Sequence, residues 1–440
     1  MIADVIIVGG GPAGSTAATL LARRGFEVTL LEREQFPREH VGESLLPFTY
    51  DILEDLGVLS EMEGRFSRKP GVTFSNVDGS KQSHWCFNRV IDGPQAISFH
   101  VRRAAFDDIL LRNSEKHGTK VIEQARVTNI NLNTTEVHYI DKTGREQIVS
   151  GRFIIDASGQ GALLARQLKS QKPFKRLHIR QALSAHWEGV NYPPTLEQKN
   201  IEIVHLGGEK LGWIWLIPLM GELSIGVALN MSYAQAERKR FQASGTENWA
   251  EALYLQELRS SPEVARIIDG GLKTDNVALD GDFSYYSETK FGSNFAIIGD
   301  ASGFLDPIFS SGIYLAMQGA REIVPGIEEL LKTKNHAMLA GAYDLIAGGY
   351  QVVEELICTF YQEERLEFAE IGESDMFSFE HFEAAYSILH LILAGDFFTN
   401  HEKYLNAIRL LKRGKNMAKF NALTGHEGAH QLKEICSIYN

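Results

Sequence analysis

The stretch DVIIVGGGPAGSTAATLLARRG, residues 4–25, runs from an apolar segment into a glycine-rich turn and then into a helical pattern. An unbroken apolar run such as VIIV fits a strand buried on both faces, as in a parallel sheet. Gly9 permits the tight turn, Gly11 lets the backbone approach a pyrophosphate, and Gly14 lets the helix pack on the strand. The helix N-terminus adds free amides and positive dipole. FEVTLLER (26–33) reads as the second strand. Glu32 closes it near the spacing at which an acid accepts both hydroxyls of an adenosine ribose and disfavours a 2′-phosphate. Strand, glycines, helix, strand and acid in that order predict a mononucleotide-binding βαβ unit.

Outward from this unit, the whole chain of 440 residues, 44% hydrophobic and 23% charged, is long enough for two or three structural units around a large core. No apolar run has the ~18 residues of a membrane span, and the N-terminus lacks the layout of a cleaved signal, so a soluble cytoplasmic protein without a membrane partner is expected. Cys86, Cys358 and Cys436 are odd in number and far apart, which predicts neither disulfides nor a metal site. Forty-four basic residues against 56 acidic ones give a formal charge of −12 and argue against nucleic acid as a partner.

NAD and FAD are both open at the first turn; two later segments favour FAD. GRFIIDASG (151–159) is an apolar strand ending at Asp156, and NFAIIGDASGFLDP (294–307) is another ending at Gly299 and Asp300. An aspartate at a strand end can bond ribityl hydroxyls while the next helix turns its amides to the pyrophosphate or flavin oxygens. Three such segments spread along the chain resemble the glutathione-reductase-type and hydroxylase-type flavoprotein fold. No second glycine fingerprint is present, so a dedicated NAD(P)H domain is not expected.

Four further stretches are similar to one family, the flavin-dependent halogenases: FPREHVGESLLP (36–47), KPGVTF (69–74), WIWLIP (213–218) and GDASGFLDPIFSSGIYLA (299–316). The resemblance covers about residues 1 to 330, and DPIFSSG resembles the branch acting on phenols and pyrroles. It implies FAD, used as FADH2 from a separate NAD(P)H-dependent flavin reductase, and chloride or bromide. In this family reduced FAD and oxygen give a hydroperoxide, which a halide opens to hypohalous acid. The resemblance implies cofactor contacts at Gly9, Gly11, Pro12, Ala13, Gly14, Glu32, Gly42, Glu43, Ser44, Arg103, Asp156, Gly299, Asp300, Gly312 and Ile313. It implies halide held by the backbone of Ser311 and Gly312; an ordinary helix cap by Ser310 or Ser311 is the alternative.

Lys69 matches the family's catalytic lysine, with Lys81 as the substitute candidate. Its ammonium can polarise hypohalous acid, or its neutral amine can form a haloamine, the second being easier where desolvation lowers the pKa. Trp213 and Trp215, alternate residues of one strand, point the same way and are implied to wall the flavin off from the substrate; packing of the sheet is the other reading. Tryptophan-specific members carry a glutamate where Phe309 stands, which argues for a phenol or pyrrole. Glu43 or a histidine is left as the base. An aromatic hydroxylase, a prenyl-chain reductase and a non-catalytic flavin-binding protein are the competing functions.

The expected architecture is α/β: an FAD-binding Rossmann domain (1–69, 101–175 and 291–330), an inserted β-rich substrate-side layer (70–100 and 176–290), and a helical C-terminal region (331–440). KYLNAIRLLKRGKNMAKF (403–420) concentrates Lys403, Arg409, Lys412, Arg413, Lys415 and Lys419, which suits either a solvated helix face or a dock for an acidic carrier protein presenting a tethered small aromatic substrate.

Overall fold

The computed structural model describes residues 2–281, 284–361, 382–411 and 434–438. The opening apolar run forms the strand Ala3–Val8, paired in parallel with Val28–Leu31 on one side and with the last residues of Glu146–Asp156 on the other. Lys120–Ile122 and Phe295–Ile297 extend this sheet at its two ends, again in parallel. The first half of Glu146–Asp156 instead runs antiparallel to Glu136–Ile140, so one long strand serves two sets of neighbours. Parallel strands require crossovers. The first is helix Pro12–Arg23, which packs against helices Arg103–Lys116 and Gly312–Thr333.

A second, eight-stranded sheet includes, in spatial order, Arg180–Glu188, Leu223–Asn230, Trp213–Pro218, Ile201–His205, Gly71–Ser75 and Gln82–Cys86. Its neighbours are antiparallel except where Ile201–His205 meets Gly71–Ser75. Side-chain alternation divides its residues between two cores. Trp213, Trp215 and Ile217 enter the main core with Phe74, Ala182 and Ile203, whereas Ile214 and Leu216 enter a second core with Leu183, Val227, Tyr254 and Ile267.

Helices Met231–Ala243, Trp249–Ser260 and Pro262–Ile268 pack on that second core. The reading of 176–290 as strands and turns is therefore corrected over 231–268. The start signals are local: Asn230, Asn248 and Ser261 each accept an amide of the following turn, from Ser232, Glu251 and Val264. Beyond the sheets, the chain is helical over Gly312–Thr333, Ala337–Tyr361, Phe382–Ala394 and His401–Leu411.

The cysteine expectation is overturned as well. Cys86 is bonded to Cys436 across 350 residues of sequence. Spacing carries no such signal, because only the folded sheet brings residue 436 to the strand that ends at Cys86. Gly71, opposite Cys86, accommodates the bridge: a Cβ there would stand 2.5 Å from the Cys436 sulfur. Disulfides persist in oxidising surroundings, so the bridge withdraws one support from the cytoplasmic expectation. Cys358 is buried and is not part of a disulfide among the described residues.

Candidate active site

The first glycine turn shows three different constraints. Gly9 has φ +107°, and a Cβ there would lie 2.3 Å from the Ala157 carbonyl oxygen. A Cβ at Gly14 would lie 1.9 Å from the Gly9 carbonyl oxygen. Both positions are closed to side chains by backbone. Gly11 is open: its Cβ would meet only Arg38 Nη2, at 3.5 Å. The start of helix Pro12–Arg23, with Pro12 and Ala13 in its first turn, thus faces a guanidinium across free space, which suits a diphosphate.

Arg38 was not singled out in the sequence, although it lies inside FPREHVGESLLP; nor was Asp107, which is fully buried and organises the cradle. Arg103 binds both Asp107 oxygens at 2.8 Å, and Arg38 reaches one at 3.0 Å. Arg103 also donates to the Val41 carbonyl at 2.6 Å. At the end of the second strand, Glu32 accepts the amides of Gly10 at 2.7 Å and Glu34 at 2.8 Å.

The two strand-end aspartates differ. Asp156 is committed to its own turn, accepting from the amides of Ser158 at 3.0 Å and Leu164 at 2.7 Å. Asp300, beside Gly299, has its carboxyl pushed up to about 6 by burial, with the Arg103 charge pulling against the shift. Groove, guanidinium pair and acidic strand end together fit a flavin dinucleotide.

Gly42, at φ +100°, lies against Arg103, and Ser44 pairs with His100 as an isolated bridge. Glu43 is buried and accepts from His186 Nε2 at 3.0 Å. Its partner is therefore a histidine of the second sheet, a pairing for which the sequence offered no signal.

Lys69 ends the strand Ser67–Lys69, which pairs with Ser98–His100. Its side chain is 1% exposed. Nζ donates to the Leu45 carbonyl at 2.9 Å and lies 5.4 Å from the centre of the Phe87 ring. Desolvation lowers its pKa to about 7. Lys81 sits instead beyond the hairpin turn that follows Ser75, at the opposite end of Gln82–Cys86 from the Lys69 side.

The turn Asp306–Gly312 is fixed from behind. Buried Asp306 pairs with Arg180 Nε at 2.9 Å, accepts from the Tyr361 hydroxyl at 2.9 Å and takes the Ile308 amide at 3.1 Å. Ser311 precedes helix Gly312–Thr333 and makes no side-chain cap, so the amides of Gly312 and Ile313 in the first turn are not satisfied by it. A Cβ at Gly312 would meet nothing within 4 Å. An anion has both donors and room there.

Phe309, in the same turn, packs with Phe74 and Phe360 at ring separations of 6.4 and 6.1 Å. Trp213 and Trp215 share this core with Ile308, Phe309 and Ile313, their rings 5.4 Å apart. The Trp215 ring lies over Gly226, where a Cβ would come within 2.0 Å of it.

Lys403 and Arg409 are exposed on helix His401–Leu411; Lys412, Arg413, Lys415 and Lys419 lie outside the described residues. Among the described residues no helix is long and apolar enough to cross a membrane, and no group of His, Cys, Asp and Glu could hold a metal ion.

Residues 88–369 match the family model described as tryptophan halogenase, and residues 4–167 match that of FAD dependent oxidoreductases. A tryptophan 2-halogenase of Chondromyces crocatus is 34% identical over 74% of this chain and 61% of its own length. A flavin-dependent halogenase of Armillaria mellea is 30% identical over 89% of this chain and 78% of its own. The solved flavin-dependent brominase Bmp2 superposes with a TM-score of 0.77 at 28% identity, over 94% of this chain and 100% of that one. The chain spans 61% and 62% of the length of two of the curated halogenases it matches.

Proposed function

Since the chain belongs to the flavin-dependent halogenases and takes FAD, we propose that it chlorinates or brominates an electron-rich aromatic ring of phenol or pyrrole type. Reduced FAD comes from a separate NAD(P)H-dependent reductase. Bound FADH2 supplies the activation of dioxygen from which, with halide, hypohalous acid arises. The chain's own residues hold, channel and aim what is formed.

Ser311 and Gly312 present halide with backbone donors at an uncapped helix start. Trp213 and Trp215 form a rigid wall that keeps the substrate from the cofactor. Phe309, Phe74 and Phe360 give the neighbouring wall an apolar character suited to a ring that loses its proton without a dedicated carboxylate. Lys69 captures the oxidant.

The observation that carries this reading is Lys69 itself: an amine 1% exposed, held among the described residues at a backbone carbonyl and near a ring face, with its pKa brought down to about 7. A substantial fraction is then the neutral amine at physiological pH, whose lone pair takes up halogen as a haloamine. The substrate is free or tethered to a carrier protein. Exposed Lys403 and Arg409 suit the acidic surface of such a carrier.

The test is Lys69→Met assayed with a flavin reductase, NADH, oxygen, halide and a phenolic acceptor, products being read by mass spectrometry for the halogen isotope pattern. FAD content and oxygen uptake are expected to stay at wild-type level while halogenated product disappears. Halogenation by Lys69→Met at the wild-type rate rejects the assignment, and a product that gains oxygen instead of halogen identifies a hydroxylase.

A further inference from the structure

A charged cluster is built around Glu43, and the reaction above makes no use of it. His186, in strand Arg180–Glu188, holds Glu43 through Nε2 at 3.0 Å and Asp275 through Nδ1 at 2.6 Å. The His186 amide donates to the other Asp275 oxygen at 2.8 Å, and the Thr274 amide and hydroxyl donate to the His186 carbonyl at 2.8 and 3.1 Å. The loop carrying Asp275 is thereby fastened to the strand.

Every charged group around the imidazole can be placed. Arg102 Nη1 lies 2.7 Å from Nε2 and 2.9 Å from Nδ1, so its charge opposes that of the imidazolium, and Nε of the same guanidinium meets Glu222 at 3.1 Å. Arg102 also stands 3.8 Å from both Glu39 and Glu43. Lys273 turns its ammonium to the Asp275 carbonyl at 2.6 Å and to Glu251 at 3.1 Å. Glu39, Glu43, Glu222 and Asp275 thus surround Arg102 and His186.

Burial alone would lower the His186 pKa. The hydrogen bonds and charges of Glu43 and Asp275 outweigh burial and the Arg102 charge, and raise it to about 9. An imidazole with a carboxylate on each nitrogen is a double donor, which is its charged form.

The segment tied down here borders the cofactor groove. Between Pro37 and Ser44 the backbone has no strand partner until the Ser44–His100 bridge. Arg38 faces Gly11 from it, and Val41 takes the Arg103 guanidinium that also feels Asp300. Its far end is held by the Val101 amide on the Glu43 carbonyl at 2.8 Å and by the Glu43 side chain on His186.

We propose that His186, backed by Asp275, is a positioning residue for the cofactor: it clamps Glu43 to the second sheet and so keeps residues 37–44 closed over the groove in front of Gly11. The proposal rests on FAD binding and is independent of whether the product is halogenated. A group whose folded pKa is raised contributes most while it is charged, so the clamp is strongest below the His186 pKa of about 9 and weakens above it, where the imidazole keeps a single N–H for two carboxylates.

The experiment measures FAD affinity and release rate for wild type, His186→Gln, His186→Lys and Glu43→Gln, from neutral pH to above the His186 pKa, with melting of each apoprotein alongside. Wild type is expected to hold FAD evenly at neutral pH and to weaken as pH rises through about 9. His186→Gln and Glu43→Gln should bind roughly tenfold more weakly at neutral pH, the size of one charge-assisted hydrogen bond, and lose the alkaline break. His186→Lys, which keeps a cation, should recover part of the affinity and move the break upward. A wild-type affinity that is flat through the alkaline range, or a His186→Gln protein with wild-type affinity and pH profile, overturns the proposal. Loss of FAD that merely tracks loss of apoprotein stability in all three variants overturns it too.

Discussion

At Lys69 the cost of keeping a charge out of water sets the protonation state on which its proposed role depends. Burial favours the neutral amine and brings the pKa to about 7, so the nucleophilic form grows as pH rises through neutrality. The rate of halogen transfer from hypohalous acid should therefore climb through about pH 7 and level off above it. A rate that falls over that range would assign the work to the ammonium. Two glycines of one turn make a second residue-scale pair. Gly14→Ala drives a methyl into the Gly9 carbonyl, 1.9 Å from the built Cβ, and should cost about 1–3 kcal/mol of stability together with FAD binding. A Cβ at Gly11 would meet only the end of Arg38, so the Gly11→Ala apoprotein should melt like wild type while FAD affinity falls. Equal melting losses for both would mean that the two glycines serve packing alike.

Among the elements, Gly71–Ser75, Gln82–Cys86, Ile201–His205 and the start of Pro262–Ile268 converge on a buried carboxyl pair. Ser75 Oγ lies 2.8 Å from both Glu202 and Glu263, and Gln82 and Thr195 complete the cluster. A serine hydroxyl has one hydrogen to donate, so its second carboxyl contact requires a protonated acid. Burial, reinforced by the neighbouring carboxylate, pushes Glu202 well above the usual range. The folded state then binds a proton that the unfolded chain has lost, and stability falls as pH rises from the ordinary glutamate range to the raised value. Glu202→Gln keeps the contacts without the charge and should flatten that decline, raising Tm most at alkaline pH; a parallel decline in the variant would clear the pair of this role.

The same elements show what a sequence read locally can and cannot give. The Ala3–Val8 and Trp213–Pro218 strands were legible because burial and alternation are written within each run. Helices over 231–268 stand where a β-rich layer is expected, although Asn230, Asn248 and Ser261 are local signals of their starts. The site divided likewise. Lys69, Gly11 and Ser311 stand in contiguous motifs, whereas His186, Asp275 and Arg180 come near those motifs only through sheet pairing and loop closure, distances that no local spacing records; Asp107 alone has a local signal, four residues after Arg103 on one helix.

For the molecule as a whole, the bond between Cys86 and Cys436 joins positions 350 residues apart in the chain. Removing a link of that span should cost about 2–5 kcal/mol, so Cys436→Ser, or reduction of the wild type, is expected to lower Tm by several degrees. A Tm unchanged by both treatments would show that the folded state gains nothing from the link. The bond has a topological side as well: everything from 86 to 436 is a covalent ring, and the first 85 residues, with the glycine turn among them, hang from it as a tail. A single protease cut at an exposed loop inside the ring opens a circle instead of severing a line. Nicked protein should migrate as one full-mass band without reductant and fall into two pieces with it, whereas a cut in the tail releases a fragment under either condition.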